Sequence, residues 1–251
     1  MTKVIICGAL GRMGTIIGSM VSSNPNLEYA GGVDIAEGTS FGKPVVKSEK
    51  LAEFIDEIHP DVMIDFTVAS AAMINAKTAA SKGVALVIGT TGFTAAQDAE
   101  LIESIKNVPA VKTTNFSVGV NIFWELVREA SKKLKDYDIE VIEAHHRNKK
   151  DAPSGTAKTI LKIIEEETGK TEEMYGRVGM TERRDEIGVH VIRGGDVVGD
   201  HKVQFHKNFE TIELTHRAYD RSVFARGAVI AASWVCNAKP GLYTMKDVLN
   251  L

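Results

Sequence analysis

The chain has 251 residues, 44% apolar and 25% charged, the balance of an ordinary soluble globular protein with room for one large or two modest domains. A net charge of −3 argues against a nucleic-acid surface, and no apolar run approaches the roughly 18 residues a membrane span needs. Cys7, in an apolar strand, and Cys236, in an apolar helix, read as buried thiols rather than as a disulfide or metal ligands. The amino terminus runs directly into Lys3-Val-Ile-Ile-Cys-Gly with no cleavage region of a signal peptide, so a cytoplasmic protein is expected.

Val4-Ile5-Ile6-Cys7 is a short apolar run that ends in Gly8-Ala9-Leu10-Gly11-Arg12-Met13-Gly14, followed by a helical stretch to about Ser22. A buried strand, a glycine turn and a helix in that order are the setting of a dinucleotide-binding turn. Gly8 permits the tight turn, Gly11 lets backbone approach a pyrophosphate, and Gly14 allows close helix–strand packing. The spacing is G-x-x-G-x-x-G rather than G-x-G-x-x-G, so the order of elements carries more of the inference than the glycines do.

A second strand, Leu27 to Val33, ends in Asp34, twenty residues past Gly14. A carboxylate there can accept hydrogen bonds from an adenosine ribose and repels a 2′-phosphate, which leans the cofactor toward NADH. Arg12 could offset that repulsion, and a turn-end Asp also serves as a plain cap, so NADPH stays open. Strand–helix alternation continues through Asp61–Phe66, a helix over 70–81, Val84–Ile88, a helix over 94–106 and Ala110–Thr113. Such alternation predicts a parallel sheet covered by helices on both faces, with ligands beyond the carboxyl ends of the strands. Phe66-Thr67, Gly89-Thr90-Thr91-Gly92 and Thr113-Thr114-Asn115-Phe116-Ser117 fall at those ends. Their hydroxyls and amides suit ribose and carboxamide contacts, although Ser and Thr also cap helices.

Ser117 to Leu134 reads as a long helix with Ile122, Phe123, Leu126, Val127 and Ala130 on one stripe. The pattern then changes to strands over Ile139–Ala144, Val189–Arg193, Asp196–Phe205 and Glu210–Arg217, several of them alternating polar with apolar. Gly194-Gly195 reads as the turn linking two of these as a hairpin, which would bring Arg193 or His201 to a cleft or a subunit contact. His190, His201, His206 and His216 stand at polar strand positions without the spacing of a metal site, so no metal is expected. The boundary falls near Asn115–Ser117, and a last helix, Ser222 to Asn237, is expected to pack back on the first domain. The fold class is therefore α/β: a Rossmann-like dinucleotide-binding domain over 1–116 with a returning segment of about 221–251, and an α+β domain with a mixed sheet over 117–220.

Between the first two of those strands lies Glu143-Ala-His145-His146-Arg147-Asn-Lys149-Lys150-Asp-Ala-Pro153-Ser154-Gly155-Thr156. Two imidazoles and three cations fall within six residues, just before a helix start whose free N–H groups can bind an anion. That combination describes a carboxylate or phosphate pocket with a group able to give a proton near neutral pH.

This stretch closely resembles the signature of the 4-hydroxy-tetrahydrodipicolinate reductase (dihydrodipicolinate reductase) family of diaminopimelate and lysine biosynthesis. The likeness extends to Gly8–Gly14, Asp65-Phe66-Thr67, Gly89–Gly92, Asn115–Asn121 and the ending Gly241–Leu249. It implies NADH- or NADPH-dependent reduction of a cyclic imine dicarboxylate with loss of water. It implies that His145 and Lys149 carry the chemistry, either one giving the proton, and that His146, Gly155 and Thr156 hold substrate carboxylates. Nucleotide contacts are implied at Gly8, Ala9, Leu10, Gly11, Arg12, Met13, Asp34, Gly89, Thr90, Thr91, Thr113, Thr114, Asn115 and Phe116. A homotetramer formed through the sheets of the substrate domain is implied as well. Ile35 departs from relatives that carry arginine beside the acidic residue, which bears on NADPH. Two rivals are an amine or amino-acid dehydrogenase on the same fold, which has no need of the His-His segment, and a nucleotide sensor, which has no need of a proton donor.

Overall fold

The computed structural model describes every residue, Met1–Leu251. The chain forms two compact units, Met1–Val118 with Ser222–Leu251, and Gly119–Arg221. The first contains β1 (Thr2–Cys7), α1 (Arg12–Ser22), β2 (Leu27–Asp34), β3 (Gly38–Ser40), β4 (Lys43–Lys47), α2 (Leu51–Ile58), β5 (Val62–Asp65), α3 (Ala69–Ser81), β6 (Ala85–Ile88), α4 (Ala95–Ile105) and β7 (Pro109–Lys112). Next come α5 (Val118–Lys133), β8 (Asp138–His145), α6 (Gly155–Thr168), β9 (Glu173–Tyr175), β10 (Ile187–Arg193), β11 (Gly199–Lys207) and β12 (Glu210–Ala218). The chain returns to the first unit as α7 (Ser222–Val235), β13 (Gly241–Tyr243) and α8 (Met245–Leu249).

The sheet of the first unit runs β13-β7-β6-β5-β1-β2-β4-β3, parallel throughout except at the edge pair β3–β4. Its central strands are short runs of Val, Ile, Leu and Met because both of their faces are covered. Successive residues of β1 go to opposite sides. Val4 and Ile6 join a core with Ile17, Val21, Ala228 and Val235, whereas Ile5 and Cys7 join one with Phe54, Ala76 and Leu101. Each fully buried Ile or Val in these layers contributes ~1.5–3 kcal/mol. No helix is long and apolar enough to cross a membrane.

The second sheet is mixed, in the order β12-β11-β8-β10-β9, with β8, β10 and β9 parallel and β11 antiparallel to both neighbours. Helices α5 and α6 supply Phe123, Trp124, Val127, Ile160 and Ile164 to a core completed by Ile139, Val141, Val203 and Phe205 of the sheet. Two sequence expectations are corrected here. On α5 the buried stripe is Val120, Phe123, Trp124, Val127 and Ser131, while Ile122 and Leu126 are exposed. The facing sheet, through Ile139, Val141, Val203 and Phe205, selects that side. Gly194-Gly195 also closes no hairpin, because β8 lies between β10 and β11. Its backbone instead holds the exit of β8: Gly194 N–H donates to the His145 carbonyl at 2.9 Å, and Arg147 N–H donates to the Gly195 carbonyl at 3.0 Å.

Candidate active site

The inward face of β8 carries Ile139, Val141, Glu143 and His145, and that of β11 carries Phe205, Val203, His201 and Gly199. The antiparallel register sets Val203 beside Val141 and His201 beside Glu143. One face therefore changes from apolar to polar along its length. The polar end faces Ser154, which caps α6 by accepting the Ala157 N–H at 3.2 Å. His201, expected at a polar position, is buried instead (3% exposed), because alternation puts it on the same side as Val203 and Phe205.

Glu143 is the hub of this cluster. Its Oε1 accepts the Ser154 N–H at 2.9 Å and Arg193 Nη2 at 3.0 Å. Its Oε2 lies 2.7 Å from His145 Nδ1 and 3.9 Å from His201 Nε2. The close pair is not aligned along the ring N–H, and neither atom has another hydrogen-bond partner. Burial opposes the carboxylate's charge, but His145, the Ser154 N–H and Arg193 outweigh it and bring the pKa down to about 2. Burial, reinforced by His145 beside it, lowers that of His201 to about 3, so this ring stays neutral. His201 Nε2 lies 3.2 Å from Ser154 Oγ, and its ring packs edge-on against His145 with centroids 5.2 Å apart.

Glu143, His145 and His201 offer three donor atoms within 4.8 Å of one another. Two ligands of one tetrahedral zinc, each ~2.0–2.2 Å from the ion, stand farther apart than the 2.7 Å between Oε2 and Nδ1. That separation suits a shared proton.

Arg193 fastens the cationic loop to this cluster, with Nε donating to the Lys149 carbonyl at 3.1 Å and Nη2 to the Asp151 carbonyl at 2.7 Å. The Lys149 ammonium pairs with Asp151 at 3.0 Å. His146 is half-buried just past the strand, and Gly155 and Thr156 form the first turn of α6. Sequence reasoning left Glu143 without a role, read Ser154 only as part of a helix start, and offered Arg193 and His201 to a cleft or a subunit contact through a hairpin that does not form. The i, i+2 relation of Glu143 to His145 was a signal for the first; the meeting with Arg193 and His201 depends on strand order and leaves no local trace.

In the first unit, Gly8 sits at φ +80°, and a Cβ on Gly14 would lie 2.0 Å from the Gly8 carbonyl oxygen. The glycines let α1 start directly against the turn, with no side chain capping its first N–H groups. Asp34 accepts the Leu10 N–H and the Ile35 N–H, each at 2.8 Å, and keeps lone pairs for ribose hydroxyls. Ala9 is buried, while Leu10, Arg12 and Ile35 are exposed. Fully buried Asp65 accepts from Thr67 N–H (3.0 Å), Thr67 Oγ1 (2.7 Å), Thr90 Oγ1 (2.7 Å) and Asn75 Nδ2 (2.8 Å), tying together the loops after β5 and β6. Thr91, Thr113 and Thr114 line a cavity of about 470 Å³ beyond β6 and β7, with Thr90 at its wall. Asn115 closes the turn after β7, with its carbonyl accepting Thr113 Oγ1 at 3.2 Å, and Phe116 is buried with its ring 5.7 Å from that of Phe66. A bare glycine turn, an acidic strand end and polar loops at the carboxyl edge of the sheet fit a nicotinamide dinucleotide.

A parallel nucleotide-binding sheet and a buried imidazole–carboxylate site in one chain define a nicotinamide-dependent oxidoreductase. Family models described as dihydrodipicolinate reductase, N-terminus and C-terminus, match residues 2–116 and 119–249. A 4-hydroxy-tetrahydrodipicolinate reductase of Methanocorpusculum labreanum is 79% identical over all of both chains. The chain belongs to the dihydrodipicolinate reductase family. The solved dipicolinate-bound dihydrodipicolinate reductase from Paenisporosarcina sp. TG-14 is 25% identical, with a TM-score of 0.81 over 98% of this chain and 99% of that one. An amine dehydrogenase from Mycobacterium smegmatis shares the fold alone, at 14% identity and a TM-score of 0.59 over 96% and 94% of the two chains.

Proposed function

We infer that the chain reduces 4-hydroxy-tetrahydrodipicolinate to tetrahydrodipicolinate, with loss of water, in diaminopimelate and lysine biosynthesis, and that His145 supplies the proton. The observation that carries the assignment of the acid is the placement of His145 at the polar end of a buried strand face, 2.7 Å from Glu143. Lys149 is occupied by Asp151, which favours His145 as the donor and leaves Lys149 to meet a carboxylate once that pair opens. The α6 start at Gly155-Thr156 offers backbone N–H groups to a second carboxylate, and His146, just past β8, is assigned to the same ligand. The dipicolinate bound in the Paenisporosarcina enzyme supports a small cyclic dicarboxylate as the ligand class.

Bound nicotinamide supplies a hydride to an electron-poor ring carbon of the substrate. The residues of this chain then have two tasks: to fix both carboxylates, and to hold a proton at His145 Nε2 for the atom that gains electron density. Gly8–Met13 and Asp34 hold the pyrophosphate and ribose, while Gly89–Thr91 and Thr113–Phe116 face the nicotinamide end. Asp34 and the exposed Ile35 beside it favour NADH over NADPH. The enzyme works in the cytoplasm as a homotetramer, joined through the second sheet, whose outward side presents Ile192 to solvent.

The test is a steady-state assay with substrate generated in situ from pyruvate and aspartate semialdehyde by a synthase, run with NADH and with NADPH. Oxidation of either cofactor is expected, faster with NADH. In His145→Ala, kcat should fall by ~10²–10⁴, the usual share of a positioned acid, while nucleotide still binds. No oxidation by the natural enzyme with either cofactor, despite tight nucleotide binding, overturns the reading and promotes the sensor.

A further inference from the structure

We propose that Glu143 is the positioning residue of this reaction: its buried carboxylate holds Nδ1 of His145, so that Nε2 is the ring atom that gives the proton. The proposal deepens the reading of His145 given above and rests on it. Three observations carry it.

First, Oε2 of Glu143 lies 2.7 Å from Nδ1, off the line of the ring N–H, and neither buried atom has a hydrogen-bond partner elsewhere. A neutral imidazole has one N–H and one lone pair, and the group facing one nitrogen fixes the role of the other. An ionised carboxylate accepts only, so Nδ1 must be the protonated nitrogen. Secondly, Nε2 faces Gly199, where a Cβ would lie 3.1 Å away. The lack of a side chain there leaves the flank of Nε2 clear. Thirdly, the other oxygen of Glu143 is held by the Ser154 N–H and by Arg193, which also grips the carbonyls of Lys149 and Asp151. The same carboxylate therefore sets the ring, the α6 cap and the cationic loop in one frame. Rotating Glu143 away would abandon a charge-assisted pair and two buried donors.

Around His145 stand Glu143 on its own strand and His201 on β11, with Arg193 of β10 held on Glu143, while His216 of β12 and Lys149 of the loop act on His201. His201 is neutral and Arg193 is spent on Glu143, so Glu143 is the anion in contact with the ring. Its removal frees the ring to take the other tautomer.

Two measurements test this. In the natural enzyme, nitrogen-15 NMR of the neutral His145 ring should show the Nδ1–H tautomer, with the signal assigned by its loss in His145→Gln. An Nε2–H tautomer overturns the proposal whatever the enzyme's activity, so this outcome is distinct from failure of the reductase reading. In Glu143→Gln, the amide oxygen can keep Ser154 and Arg193 while its NH₂ turns toward Nδ1 and forces the opposite tautomer. Turnover should fall by ~100-fold with substrate KM within about 3-fold, the signature of an interaction made in the transition state. Glu143→Asp, which keeps a carboxylate acceptor, should restore part of the lost turnover. A folded Glu143→Gln enzyme with natural turnover also overturns the proposal. If that variant does not fold, the tautomer of the natural enzyme decides alone.

Discussion

A methyl group on Gly199 would lie 3.1 Å from His145 Nε2, 3.5 Å from its Cδ2 and 3.8 Å from His201 Cε1. The backbone there is not in the left-handed region, so alanine meets no backbone strain and its effect falls on the imidazole. The ring is pinned on its other side by Glu143 and must give by a few tenths of an ångström. Gly199→Ala should therefore lower kcat by ~10–100-fold, in keeping with the cost of misplacing a reacting group. Its stability should stay within ~1 kcal/mol of the natural chain, as for other substitutions that open no cavity and orphan no polar group. Paired kcat and urea-midpoint measurements check this. A large loss of stability with natural turnover would show instead that Gly199 serves the packing of β11 against β12.

Among the elements, the loops after β5 and β6 depend on one side chain. Asp65 is fully buried at the end of β5 and receives donors from Thr67, Thr90 and Asn75. Asp65→Ala would leave those donors facing a void at ~1–3 kcal/mol each for those that find no water. A loss of ~3 kcal/mol or more in urea unfolding is expected, with weakened nucleotide binding because Thr90 and Phe66-Thr67 lose their anchor. Unchanged stability would mean that water replaces the carboxylate. The strand that presents Asp65 was legible as a short apolar run, as were β1 and β6, because strands buried on both faces carry no competing pattern. Edge strands β3 and β13 and the short β4 beside β3 were not, since three to five residues at a margin have neither alternation nor a continuous apolar run. On α5, Ile122 and Leu126 fit a helical stripe as well as Val120 and Trp124 do. Only the facing sheet selects between the two. The glycine turn, Asp34 and the His145 segment were readable because their chemistry is local. The convergence of Glu143, Arg193 and His201 was not, because it comes from β8 lying between β10 and β11.

At the scale of the molecule, the same buried cluster makes the fold acid-sensitive in a defined place. Burial, with His145 beside the ring, holds the pKa of His201 at about 3, well below the ~6.5 of a free imidazole. As pH falls below that unfolded value the unfolded chain takes up a proton that the folded chain refuses, so stability is lost from about pH 6.5 downward. The loss reaches ~1.4 kcal/mol per pH unit for one such group, until the folded ring also titrates. Glu143, held at about 2 against an ordinary 4.5, adds a loss of the same sign at lower pH: its contribution is whole above 4.5 and gone once pH passes 2. Both residues belong to the Gly119–Arg221 unit, whereas the sheet of the other unit rests mainly on apolar layers that do not titrate. Lowering pH from 7 to 4.5 should therefore raise hydrogen exchange in β8 and β11 before β1 and β5. His201→Gln should flatten that response between pH 6.5 and 4.5, because a side chain with no titration in this range replaces the buried imidazole. Equal slopes in the variant and the natural chain would move the origin of acid sensitivity elsewhere, and uniform exchange across both sheets would show the two units unfolding as one.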